Sequence, residues 1–209
     1  MRLLCFGDSN TYGYDPRSYL GGRYGETVRW PCLLAERAGV ELTERGENGR
    51  GIPHREYQLS RAAFELTRAG AVDALTVMLG GNDLLMEPDF TAEDVTDRME
   101  VFLEYARRLP ELAGARILLI SPPAMRPGAW VNERRLIHES GRLAELYGGL
   151  AARLGLDFLR APERPGSRMM VSTVSGTSTM PSWSWCPSLR RPPRRAPCFS
   201  GGETGGWSR

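Results

Sequence analysis

Along the first 160 residues, short apolar runs alternate with longer stretches whose apolar positions recur at near-helical spacing. The runs fall at residues 2–6, 40–45, 73–79, 115–120 and 156–159, and most close on glycine, proline or small polar residues. Near-continuous apolar runs of this length read as strands buried on both faces. The stretches between them predict helices over about 28–38, 55–68, 91–110 and 133–154. The third is the clearest: Thr91 and Asp94 make a capping-box pattern, and Val95, Met99, Phe102 and Ala106 continue one stripe up to Pro110. Strands alternating with helices predict an α/β fold, a three-layer α/β/α sandwich around a parallel sheet of about five strands, flavodoxin-like in plan.

Beyond Ala161 the pattern stops. Residues 161–209 are rich in Ser, Pro, Thr, Gly, Trp and Arg, with no acidic residue between Glu163 and Glu203 and no isoleucine. Such a stretch buries too little apolar surface to offset its ordering entropy, so the expected organisation is a folded domain over 1–160 and an irregular tail over 161–209. Charge divides at the same place. Every basic residue is arginine; residues 1–160 carry 20 Arg against 23 acids, and the tail 7 against 2. The tail's Arg/Pro run at 190–195 lacks a folded platform, so no nucleic-acid partner is expected. No apolar run approaches the roughly 18 residues of a membrane span, and no secretory leader pattern opens the chain. A cytoplasmic location is the expectation. The four cysteines show no metal-ligand spacing, so neither a metal site nor a disulfide is expected, and no cofactor is required.

The candidate chemistry lies where strands end. The first run stops at Gly7-Asp8-Ser9-Asn10, the second at Gly46-Glu47-Asn48-Gly49, the third at Gly80-Gly81-Asn82-Asp83. In open α/β sheets the carboxyl ends of strands collect ligands. Asp-Ser-Asn after a strand is also an ordinary turn and helix cap. The repetition favours chemistry: a Ser9 hydroxyl as nucleophile, with the Ser9 and Gly46 N–H groups and the Asn82 amide as donors to an oxyanion, are two of the three parts that acyl transfer needs.

These pieces, together with Arg29-Trp30-Pro31 and Glu44-Arg45-Gly46-Glu47-Asn48-Gly49-Arg50, resemble the SGNH (GDSL) hydrolase superfamily and its arylesterase-like branch, in the family's order over residues 1 to about 160. The resemblance implies Ser9 as nucleophile, Gly46 and Asn82 as oxyanion-hole partners, and a small-molecule ester as substrate, hydrolysed through an acyl-enzyme. Tyr12 and Asp83 are candidate substrate contacts, and Tyr12, Tyr14 and Tyr19 candidate walls of a pocket. The family's Asp-x-x-His motif, which supplies acid and base, is missing from the C-terminal stretch. A slipped reading frame near residue 165 accounts for both this loss and the change in composition. With G or C at each free third base, Ser172 to Ser178 read from the third base of the Ser172 codon gives Asp-Gly-Val-Gly-His-Leu. The chain has two histidines. His54, after the Gly46 turn, is the fallback base, while His138 is expected on a solvated helix face. Three readings remain open at this point: an aryl or acyl esterase impaired by the lost base, a carbohydrate acetylesterase or acyltransferase of the same superfamily, and a non-catalytic ligand-binding fold.

Overall fold

The computed structural model describes residues 1–18, 20–128, 131 and 133–161, and the backbone of 170–172. Strands β1 (Arg2–Gly7), β2 (Glu41–Gly46), β3 (Ala74–Met78), β4 (Arg116–Ser121) and β5 (Asp157–Arg160) form a parallel sheet in the order β2-β1-β3-β4-β5. This is the doubly wound arrangement, whose strand order reverses direction at β1. The expected α/β fold with five parallel strands is what the chain adopts.

Side chains alternate across the sheet as strand geometry requires. Leu4, Phe6, Leu75, Val77, Leu119 and Phe158 belong to one large core. Helices α3 (Glu56–Thr67), α5 (Ala92–Ala106) and α6 (Arg134–Leu154) cover it, burying Leu66, Met99, Phe102, Leu143 and Tyr147. Phe6 and Phe102 stack at its centre, ring centroids 5.3 Å apart. Each of those two fully buried rings is worth about 1.5–3 kcal/mol of apolar burial. The opposite face presents Met78, Ile120 and Leu159, packed by Trp30 of α2 (Trp30–Ala38). Trp30 is half-buried there.

The helices start where their caps do. Thr91 accepts from the Asp94 N–H and the Asp94 carboxylate accepts from the Thr91 N–H, so the capping box opens α5 as its spacing predicts. The stripe ends earlier than expected, at Ala106, because the chain passes into a 3₁₀ turn over Pro110–Leu112.

Three elements depart from the sequence reading. Ser9–Tyr12 forms a one-turn helix, α1, and Gly81–Met86, read as loop, forms α4. Neither is long enough to show an apolar period. In the stretch assigned to the irregular tail, Met170–Ser172 pairs antiparallel with β5 as a sixth strand, β6. An open sheet edge is a template for a short added strand, and a three-residue strand carries no readable alternation. The remainder of the tail, and Tyr19, lie outside the described residues.

Candidate active site

Sheet register brings the three polar turns together. Gly7, the last residue of β1, is paired with Gly46 on one side and Met78 on the other, so Ser9, Gly46 and Asn82 leave adjacent strand ends at the carboxyl edge, around the point where strand order reverses.

Asp8 builds the first turn. Its carboxylate accepts from the Asn10 N–H at 2.8 Å and from Asn10 Nδ2 at 3.0 Å, which caps α1 and sets Ser9 at its first position. Burial pushes the Asp8 pKa up to about 6 against the pull of these bonds. Asp8 is thus committed to the turn. Ser9 is half-buried, and its hydroxyl makes no hydrogen bond with a described residue.

The second turn depends on the absence of a side chain. A Cβ at Gly46 would lie 2.3 Å from Tyr12 N and 2.6 Å from Tyr12 Cα, so the main chain of α1 rests directly on the end of β2. The Glu47 N–H donates to the Gly7 carbonyl at 3.1 Å and continues the pairing past the strand end.

The third turn pivots on Gly80, whose φ of +117° is a conformation that glycine adopts readily. A Cβ there would meet the Tyr147 hydroxyl at 2.5 Å. That hydroxyl, fully buried, donates to the Leu79 carbonyl at 3.1 Å and supports the turn from beneath. Burial, with the nearby Asp83 and Asp8 charges, holds the phenol well above its usual range. Asn82, the second residue of α4, donates through Nδ2 to the Arg50 carbonyl at 2.9 Å. Only nitrogen can donate to a carbonyl, so this bond fixes which way the amide faces and leaves its second N–H available.

Asp83, expected to contact substrate, lies beneath the site. It is 3% exposed, and its carboxylate is occupied by the Ile52 N–H at 3.0 and 3.2 Å and by Arg98 Nη1 at 3.1 Å. Burial raises its pKa, opposed by those two donors. Its position next to Asn82 in sequence suggested exposure at the site; the tertiary partners at residues 52 and 98 had no local signal. Tyr12 remains at the edge, half-buried, with the Arg23 guanidinium 4.7 Å above its ring. Tyr14, 39% exposed, pairs with Arg23 in the loop behind it.

Neither histidine is hydrogen-bonded to Ser9. His54 Nδ1 lies 2.9 Å from the Ile52 carbonyl, which assigns a proton to Nδ1 and leaves Nε2 outside that bond. His138 stands 68% exposed on α6, 2.8 Å from Glu139, the solvated face expected for it. Among the described residues no group of three His, Cys, Asp or Glu side chains is placed to hold a metal ion, and Cys5 and Cys32 are free thiols. Burial pushes the Cys5 thiol up to about 12. No helix of the described residues is long and apolar enough to cross a membrane.

A doubly wound sheet with a serine turn, a glycine turn and an Asn-bearing turn on adjacent strand ends defines an ester hydrolase of the SGNH type. Accordingly, the chain belongs to the GDSL-like Lipase/Acylhydrolase family, which it matches over residues 5–176. Among solved structures it is similar to a putative arylesterase from Agrobacterium tumefaciens, at 30% identity and a TM-score of 0.67, covering 76% of this chain and 82% of that one. A carbohydrate acetylesterase family member from Sinorhizobium meliloti aligns at 28% identity and a TM-score of 0.66, with the same coverage. The aryl esterase of M. smegmatis aligns at 27% and 0.65, covering 76% and 83%. No protein of curated function matches the sequence. The family and these neighbours make the chain a carboxylic ester hydrolase acting on small-molecule esters.

Proposed function

We propose that the chain is a serine esterase for short aryl or acyl esters, working through an acyl-enzyme on Ser9. The observation that carries this reading is the convergence of Ser9, Gly46 and Asn82 at adjacent strand ends, with the Asn82 amide already turned by the Arg50 carbonyl. Ser9 Oγ adds to the ester carbonyl, and the new oxyanion takes hydrogen bonds from the Ser9 and Gly46 N–H groups and the free Asn82 N–H. Collapse of the adduct expels the alcohol, and water then releases the acid. No step calls on a cofactor.

Proton transfer is the step this chain lacks means for. A serine hydroxyl is a weak nucleophile until a base removes its proton, and members of a catalytic set act as a unit. With Asp-x-x-His missing from its sequence, turnover of the 209-residue chain is proposed to fall about 10⁴- to 10⁶-fold below that of an intact relative. The composition after Ala161 supports a shifted reading frame as the cause, and sequencing the source DNA for one inserted or deleted base tests it.

Likeness to a carbohydrate acetylesterase family member favours a second substrate class, acetylated sugars. A panel of short aryl esters and acetylated glycans, assayed on the chain with its ending restored to the alternative frame and on Ser9→Ala in that version, tests both. Hydrolysis confined to the glycans would replace the aryl ester reading. Equal rates for the two proteins on every ester would remove Ser9 from the mechanism, and rates at background for both would leave a ligand-binding fold.

A further inference from the structure

Between the glycine turn and the Asn turn runs a loop, residues 47–53, in which the Arg50 side chain is tucked in beside the buried Ile52. Its guanidinium is 8% exposed and makes four hydrogen bonds. Nη1 donates to the Arg45 carbonyl at 2.7 Å, Nε and Nη2 donate to Glu47 Oε2 at 3.2 and 2.8 Å, and Nη2 donates to Glu65 Oε2 of α3 at 2.5 Å. Its Cζ lies 4.1 Å over the Phe6 ring, which is itself stacked in the core. The side chain thus grips the residues immediately before and after Gly46 and ties them to α3 and β1. The carbonyl of the same residue accepts from Asn82 Nδ2.

We infer that Arg50 is the positioning residue of the oxyanion hole, setting the Gly46 segment through its guanidinium and the Asn82 amide through its main-chain carbonyl. The inference rests on the proposed roles of Gly46 and Asn82. It follows from how donors act: an oxyanion hole is effective only when its dipoles are held in place before charge develops. Two donors from different strands keep a common geometry only if something rigid joins them. The planar fork of arginine reaches three acceptors at once, whereas the ammonium of lysine carries no such fork. Glu47 and Glu65 are also paired with Arg61, so a change at Arg50 leaves neither carboxylate without a cation.

The test is a double-mutant cycle in the chain with its ending restored to the alternative frame, with Arg50→Lys, Asn82→Ala and the combined variant, reading kcat and KM separately on a short aryl ester. Arg50→Lys should lower kcat about 10- to 100-fold, the scale of a small misplacement of catalytic geometry, with KM unchanged. In the Asn82→Ala background the same change should cost several-fold less than in the parent, because one of the two donors it positions is gone. Full multiplication of the two losses, or an unchanged kcat in Arg50→Lys, overturns the inference while the esterase reading stands. An unaffected Asn82→Ala overturns the oxyanion reading itself. Glu65→Gln keeps Arg50 and loosens its anchor, so it should show a smaller loss of the same kind even if Arg50→Lys folds poorly. Hydrogen exchange of the Asn82 side-chain amide, followed by NMR, decides the matter where turnover is too slow to read. Exchange should rise at least about tenfold in Arg50→Lys with the rest of the spectrum intact, and an unchanged rate contradicts the inference.

Discussion

The proposed nucleophile side of this site and the acid–base side that the family's motif would supply come from stretches of opposite character. The first is spread over residues 7–83, on three adjacent strands, and every turn in it is tied down by a partner from elsewhere: Gly46 under α1, Gly80 on Tyr147, Asn82 on Arg50, Asp83 on Ile52 and Arg98. The second should come from the C-terminal stretch, where the sequence holds no aspartate and no histidine. An oxyanion hole built from main-chain N–H groups and one side-chain amide on three adjacent strand ends is shared across the fold. A base is one side chain at one place. A reading frame lost late in the chain can therefore remove the base and spare the frame that holds the nucleophile.

Variants break the comparison most sharply in a version whose ending is restored to the alternative frame, where both sides are expected to be present. There Ser9→Ala should carry the largest loss, on the order of 10⁶ in kcat, leaving only background hydrolysis. Ser9 opens an exposed-edge turn and fills no core space, so the thermal midpoint should stay put, as a melting curve would record. Asn82→Ala should lower kcat about 100- to 1,000-fold, the usual cost of one oxyanion donor. A rise in KM alone would place Asn82 in ground-state binding instead. Gly46→Ala should cost about 100-fold, because a methyl 2.3 Å from Tyr12 N must push α1, and Ser9 with it, out of line. Activity retained in that variant would mean the turn tolerates displacement.

The smallest effect concerns stability. The Asp8 carboxyl is shifted from 3.8 to about 6 by burial, so the folded state holds its proton more tightly than the unfolded state does. Its contribution is favourable below about pH 4 and is lost as pH rises through 6. Asp8→Asn, which carries no charge, should therefore gain in melting temperature relative to the parent between pH 4 and 6 and hold a constant advantage above that. A gain that shrinks as pH rises would reverse the sign assigned to this group.

Much of the framework was legible from pattern alone. Strands β1, β3 and β4 are continuous apolar runs, and α5 announces itself through Thr91, Asp94 and its stripe. The turns at Ser9, Gly46 and Asn82 stood out because glycine followed by small polar residues at a strand end is a local signal. What joins those turns is not local. The partners of Asp83 lie 31 and 15 residues away, and the carbonyl that orients Asn82 lies 32 residues away, so no spacing rule exposes them. Asp83 was accordingly expected at the substrate and is found buried. Helix α4 escaped notice because six residues led by glycine show no period.

A nucleophile side without its base is expected to leave the chain nearly inactive. That is tested most directly by measuring hydrolysis of a short aryl ester by the purified 209-residue chain beside the version restored to the alternative frame. The account predicts a turnover about 10⁴- to 10⁶-fold lower for the chain as written. Ordinary enzymatic rates from that chain would contradict this, and would turn attention to His54, whose Nε2 is free of the Ile52 carbonyl that holds its other nitrogen.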